Sequence, residues 1–131
     1  MTNTPAQVMR AAIAAFALGL AGAAAQAADC DEPERPPALD GGTASMEEML
    51  AGQKQVKAFQ TANMAYMQCL EKNFQAAEEN AKDSSDAAAR AIAQKEYTDS
   101  VEAYNAAVSA EEEVAGAFNV ALRAYKAANG K

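Results

Sequence analysis

Apolar residues recur at alternating intervals of three and four along two long stretches of this chain. The second stretch is the more regular one: Tyr97, Val101, Tyr104, Val108, Glu111, Ala115, Phe118, Leu122 and Tyr125. The first stretch includes three polar members: Met46, Met49, Gln53, Val56, Gln60, Asn63, Met67, Leu70, Phe74, Ala77 and Ala81. This spacing is typical of α-helices that pack against each other along a continuous seam. It predicts two helices, over residues 45–82 and 85–128.

Capping and turn-forming residues set the ends of both predicted helices. Ser45 followed by Glu48 is a capping box, which marks the start of a helix. The Asp-Ser-Ser-Asp segment at 83–86 favours a turn, because these side chains bond to their own local backbone. The alternative, one uninterrupted helix, would leave the apolar seam without a partner. We therefore expect an all-α fold, an antiparallel two-helix coiled-coil hairpin that ends at Asn129 and Gly130.

The second seam contains one charged residue, Glu111. A turn near Ser84 places Glu111 opposite the neighbourhood of Lys57, where the two side chains could form an ion pair. Exposure of Glu111 to solvent is the alternative, and both remain open at the level of the sequence.

The first 27 residues have the features of a bacterial signal peptide. Arg10 supplies positive charge, an uncharged alanine-rich run follows it, and Ala25-Gln26-Ala27 matches an A-x-A cleavage site. A transmembrane anchor is one alternative, but the run is shorter than the ~20 residues that span a bilayer. A lipoprotein is another, although Asp29 stands before Cys30 where a lipobox has Gly or Ala. We predict a signal peptide at 1–27.

The segment after the predicted cleavage site is rich in proline. Pro33, Pro36 and Pro37 fix the backbone and remove hydrogen-bond donors, so we expect an extended tail at 28–44. The helical hairpin then occupies 45–129, and no stable membrane span remains after cleavage.

The chain has two cysteines, Cys30 in the tail and Cys69 in the first predicted helix. In an exported protein they predict one disulfide. A polyproline-like tail of about 46 Å can double back over the about 36 Å of helix that it must cover. Cys69 shares a stripe beside the seam with Phe59, Ala62 and Tyr66, which we predict to be the tail-docking face. The alternatives are a buried free Cys69 thiol with a disordered Cys30, and a disulfide between two chains.

Composition and charge narrow the chemistry that the chain can perform. The 131 residues include 11 basic and 18 acidic side chains and no histidine, for a net charge of −7. Removal of Arg10 with the signal peptide leaves −8. An acidic chain disfavours nucleic acid and anionic membranes as partners. The lack of histidine excludes catalysis by an imidazole group and metal binding through histidine ligands. We predict no enzyme activity, no catalytic residues, no cofactor and no metal.

Several short segments resemble a family of small exported proteobacterial proteins. They are Cys-Asp-Glu-Pro from Cys30, Pro-Pro-Ala-Leu-Asp-Gly-Gly from Pro36, then Met49, Tyr-Met-Gln-Cys-Leu from Tyr66, Tyr104-Asn105, Val114-Ala115 and Phe118-Asn119. Members of this family are helical, have a Cys- and Pro-rich N-terminal tail, and are uncharacterised in function. The resemblance implies a periplasmic helical protein with a tail tethered by cysteine, and it transfers no catalytic residue.

These features predict a periplasmic or secreted protein that acts by binding. The leading hypothesis is an interaction or structural component of the cell envelope, because a thin hairpin leaves apolar surface for an unknown protein partner or for a homo-oligomer. The alternative is an acidic inhibitor or chaperone-like binder of basic exported proteins, which the negative net charge favours.

Overall fold

The computed structural model describes residues 27–130, and within this range the fold is all helical, with no β-strand. Helix α1 extends over Met46–Asp83 and helix α2 over Ala87–Asn129. The two helices pack along each other as the predicted antiparallel hairpin. Their observed ends differ from the predicted ones by at most two residues. The predicted signal peptide lies outside the described residues, except for Ala27.

Both helices begin at a capped N-terminus. In α1, Ser45 Oγ accepts a hydrogen bond from the Glu48 N–H at 3.2 Å, and Glu48 Oε2 accepts one from the Ser45 N–H at 2.7 Å. The predicted capping box is thereby confirmed, and its hydrogen bonds hold the pKa of the Glu48 carboxyl below the usual value. In α2, Asp86 Oδ1 accepts from the Ala88 N–H at 3.2 Å. The break between the caps confirms two helices rather than one.

The helices touch along a line of residues that recur every seven positions and that are mostly small on α2. On α1 these are Met49, Val56, Asn63, Leu70 and Ala77, and on α2 they are Ala93, Ser100, Ala107, Val114 and Ala121. The distance between packed helices depends on the side chains at the contact, and small ones permit close approach. The core of the hairpin is therefore narrow, and larger apolar side chains lie beside it.

The predicted seam of α2 is wrong by one residue at several positions. Tyr97 and Val108 are 40 % and 37 % exposed, whereas Ser100 and Ala107 are buried. The predicted seam follows the large apolar side chains of the sequence. The helices instead meet at small side chains, which let the two backbones approach closely. On α1 the predicted Gln53 is exposed and the neighbouring Gly52 is buried in its place.

Aromatic and aliphatic side chains pack beside the contact line at two positions along the length of the hairpin. Near the turn, the Phe74 ring meets the rings of Tyr97 and Tyr104 edge to face, with centroids 6.2 Å and 6.0 Å apart. This geometry is favourable for aromatic pairs. Farther from the turn, Phe59 packs with Ala110 and Val114 in a buried hydrophobic cluster.

Asn63 is a buried polar residue at the centre of the helix contact, with 1 % of its surface exposed. Its Nδ2 donates to the Ala107 carbonyl oxygen at 2.9 Å and to Glu111 Oε2 at 3.0 Å. Glu111 is therefore half-buried and bound to Asn63, and among residues 27–130 it forms no ion pair with Lys57. A buried polar residue of this kind fixes the register of two packed helices.

We expect Asn63→Ala to lower the free energy of unfolding by about 1–3 kcal/mol, because two hydrogen bonds and the packed amide are lost together. Urea denaturation followed by circular dichroism measures the change. Glu111→Gln is the matched control, since the amide oxygen of glutamine still accepts from Asn63, and its effect is expected to be smaller. Equal stability of Asn63→Ala and the wild type would contradict the prediction.

Candidate interaction surfaces

A disulfide and an asparagine fix the start of the tail to α1. Cys30 and Cys69 form the disulfide, with their Cα atoms 5.8 Å apart, so the predicted pairing within one chain is confirmed. Asn73 Nδ2 donates to the Ala28 carbonyl oxygen at 2.7 Å, and Asn73 Oδ1 accepts from the Ala28 N–H at 3.0 Å. Asn73 thus satisfies both backbone groups of Ala28, as a neighbouring strand would. The side chain also places Nδ2 3.2 Å from Cys30 Sγ.

The tail lies antiparallel to α1 in an extended conformation. Ala28 is bound at Asn73, and Leu39 lies beside Gly52, where an added Cβ would be 3.5 Å from Leu39 Cδ1. The tail between these points covers about 32 Å of helix, which is about 2.9 Å per residue and close to the polyproline II rise. The tail therefore forms a third layer on one side of the hairpin.

The three predicted tail-docking residues lie on the side of α1 that faces the tail. Phe59 is buried and Ala62 is exposed, and with the proline segment 33–37 both line an open hollow of about 470 Å³. Tyr66 is half-buried and lies close enough to Glu32 for that charge to act on its hydroxyl.

The middle of the tail reaches the groove between the two helices. Arg35 Nη1 lies 2.6 Å from Glu113 Oε2 of α2. Beneath this pair, Pro36 to Leu39 and the side chains of Val56 and Phe118 enclose a hollow of about 180 Å³. Both charged side chains are about half exposed, so the ion pair contributes at most about 1 kcal/mol. Its main effect is to position the tail over α2.

Burial, and secondly the negative charge of Glu32, raise the pKa of the Tyr66 hydroxyl above its usual value. We expect Glu32→Gln to lower the Tyr66 pKa, because the remaining cause is burial alone. Absorbance titration near 295 nm measures the pKa, with Tyr66→Phe as the control that identifies its contribution. The docked tail is favoured while Tyr66 is neutral, and this contribution is lost as the pH rises through the folded-state pKa. An unchanged titration curve in Glu32→Gln would contradict this arrangement.

The opposite side of the hairpin has no tail across it and carries both apolar and polar exposed side chains. At 100° per residue, the helix geometry places on this side five of the seven large hydrophobic residues that are exposed within residues 27–130. They are Met46, Leu50 and Met64 of α1 and Tyr97 and Val108 of α2, with half-buried Met67, Val101, Tyr104 and Leu122 between them. We call this surface the tail-free face. It is the largest concentration of exposed apolar side chains on the described part of the chain.

Between residues 27 and 130, His, Cys, Asp and Glu side chains do not gather in any group of three or more that could hold a metal ion. Neither described helix contains an apolar stretch long enough to cross a membrane.

Comparison of the chain with models of known protein families, with curated proteins and with solved structures finds no match in any of the three. The functions of the tail-docking face and the tail-free face are therefore inferred from the geometry of these two surfaces.

Sequence reasoning missed several residues that hold the tail. Asn73 continues the three-four spacing of Ala62, Tyr66 and Cys69 by one further step, so extension of that stripe would have found it. The pairing of Arg35 with Glu113 had no signal in the sequence, since it depends on how the tail crosses from α1 to α2.

Proposed function

We propose that the protein is a non-enzymatic component of the cell envelope, periplasmic or secreted, that acts by binding another protein. The observation that carries this proposal is the tail-free face, where large apolar side chains such as Leu50 and Met64 are more than half exposed. Apolar surface concentrated on one side of a small protein is typical of a protein–protein interface. Because the tail covers the other side, the partner is expected on this face alone.

The disulfide supports the proposed compartment. Disulfides persist in the periplasm and outside the cell and are rare in the reducing cytosol. The Cys30–Cys69 bond and the signal-peptide features of residues 1–27 thus favour export together. On the same grounds we propose that the chain belongs to the exported proteobacterial family that it resembles.

Site-specific photo-crosslinking in intact cells tests the proposed function. A photoreactive amino acid replaces Met64, on the tail-free face, or Ser109, which is also exposed but on the outer side of α2. We expect a covalent protein adduct from position 64 and none from position 109. Adducts from both positions alike, or from neither, would contradict the proposal.

The negative charge favours a second candidate function, an acidic inhibitor or chaperone-like binder of basic exported proteins. The chain carries a net charge of −7, and both Glu112 and Glu113 are exposed on α2, where Glu113 also pairs with Arg35. A basic secreted protein is the probe, and binding is measured by calorimetry at low and high salt. Because exposed charge pairs are screened by salt, the affinity should fall steeply as the salt concentration rises. Affinity that is independent of salt would exclude this function.

A further inference from the structure

A stripe of seven residues on α1 has a polarity pattern that is symmetric about Met64. In order the stripe comprises Gln53, Lys57, Gln60, Met64, Gln68, Glu71 and Gln75. Glutamines stand four and eleven residues to either side of Met64. Seven residues away, the stripe has a lysine on one side and a glutamate on the other. If a second copy of the stripe packs against it in antiparallel orientation, each glutamine therefore faces a glutamine, and each lysine faces a glutamate.

The stripe lies along the tail-free face. Intervals of three and four residues keep side chains on one side of an α-helix. Six of the seven residues are exposed, and Gln60 is half-buried beside the helix contact. Among residues 27–130, the ion pairs involve neither Lys57 nor Glu71. Glu71 Oε1 accepts a hydrogen bond from Gln75 Nε2 at 3.2 Å, an exposed contact that leaves the charge of Glu71 unpaired.

We infer that the partner on the tail-free face is a second copy of this chain, with the two α1 helices antiparallel about a two-fold axis at Met64. This inference rests on the proposed function and specifies its partner. Lys57 of each copy then faces the partner's Glu71, and Gln60 faces the partner's Gln68. A two-fold interface uses the same patch on both subunits, so it requires such self-complementarity.

The apolar side chains next to the proposed axis and the size of the face agree with a dimer. Val108 and Tyr104 of α2 lie at nearly the same height as Met64, because the hydrogen bond from Asn63 to Ala107 fixes the register. The stripe is about 33 Å long, and two helices of about 10 Å width give roughly 660 Å² per subunit, near the roughly 800 Å² of a standard interface. The tails remain outside this four-helix arrangement, since each lies on the opposite side of its hairpin.

Sedimentation of the purified, oxidised protein over a range of micromolar concentrations tests the inference. We expect the wild type to be a dimer and Met64→Glu to raise the dimer dissociation constant about tenfold or more, because it places two like charges at the axis. Val120→Glu is the matched control, because Val120 and Met64 are both 58 % exposed but Val120 lies away from the tail-free face. A monomeric wild type, or equal effects of the two variants, would overturn the inference.

Charge reversal tests the orientation of the two copies. Lys57→Glu and Glu71→Lys should each weaken the dimer about tenfold, since each turns two attractive pairs into repulsive ones. The double variant should restore the affinity, because the pairs then form with the charges exchanged. Failure of the double variant to recover would overturn the antiparallel α1 arrangement. A monomer that still forms adducts at position 64 in cells with a different protein would overturn the dimer and leave the proposed function intact.

Discussion

Replacement of both cysteines, Cys30→Ser together with Cys69→Ser, is expected to lower the free energy of unfolding by about 4 kcal/mol. The two residues are 39 positions apart, and a crosslink over a loop of this length removes much of the entropy of the unfolded chain. Urea denaturation of the variant and the wild type, followed by helical circular dichroism, measures the difference.

This loss is large for a protein with so small a core. Nine hydrophobic residues are buried among residues 27–130, and five of them are alanines, at positions 77, 93, 107, 110 and 121. A domain of this size gains only a few kcal/mol from its apolar core, so a disulfide contributes a large share of its stability. Without the disulfide, the start of the tail keeps only noncovalent contacts, such as the hydrogen bonds between Asn73 and Ala28.

Reduction of the wild type provides the control for the cysteine variant. A thiol reductant should lower the stability of the wild type to that of the double serine variant and leave the variant itself unchanged. Wild-type protein that is equally stable before and after reduction would contradict a structural role for the Cys30–Cys69 bond.

The features that follow from local rules could be predicted from the sequence. Ser45 with Glu48 marks a helix start through two short-range hydrogen bonds, and Asp83 to Asp86 mark a turn in the same way. The disulfide was predictable because the chain has only two cysteines and a tail of sufficient length. Each of these inferences depends only on residues a few positions apart in the sequence, or on the maximum distance that the tail can span.

The features that depend on how closely the helices approach could not be predicted. Spacing alone does not show that Ala107 rather than Val108 lies at the helix contact. Two three-four repeats that are offset by one residue can be traced along α2, one through each of these positions. For the same reason the partner of Glu111 was missed. Asn63 reaches Glu111 only because a small residue at 107 lets the backbones come close.

The displaced seam of α2 is itself informative about function. Tyr97, Val101, Tyr104 and Val108 form a regular apolar repeat, yet all four stay exposed or half-buried, whereas the small residues Ser100 and Ala107 beside this repeat are buried. The repeat therefore contains more large apolar side chains than the contact between α1 and α2 of one chain buries. This excess lies on the tail-free face, where a second chain would bury it.

Gly41→Ala is expected to lower the free energy of unfolding by about 3 kcal/mol, because the turn that follows the tail can no longer pack on α2. A Cβ atom on Gly41 would overlap the carbonyl oxygen of Ala121, at a separation of 1.7 Å. That oxygen belongs to the helix backbone and cannot move aside as a side chain would. The turn itself is held by Asp40, whose carbonyl oxygen accepts from the Ala44 N–H at 3.0 Å, so a shift of Gly41 disturbs the start of α1 as well.

The adjacent glycine is the matched control for this substitution. A Cβ atom on Gly42 would meet only Oδ1 of Asp40, at 3.3 Å, and a shift of a few tenths of an ångström in that side chain relieves the contact. The shift is small enough to keep the hydrogen bond that this oxygen accepts from the Gly42 N–H at 3.0 Å. We expect Gly42→Ala to change the free energy of unfolding by less than about 1 kcal/mol. Urea denaturation measures stability, and limited proteolysis within residues 31–39 measures release of the tail, which should increase in Gly41→Ala alone. Equal stability and equal proteolysis of the two alanine variants would show that the tail does not pack against Ala121.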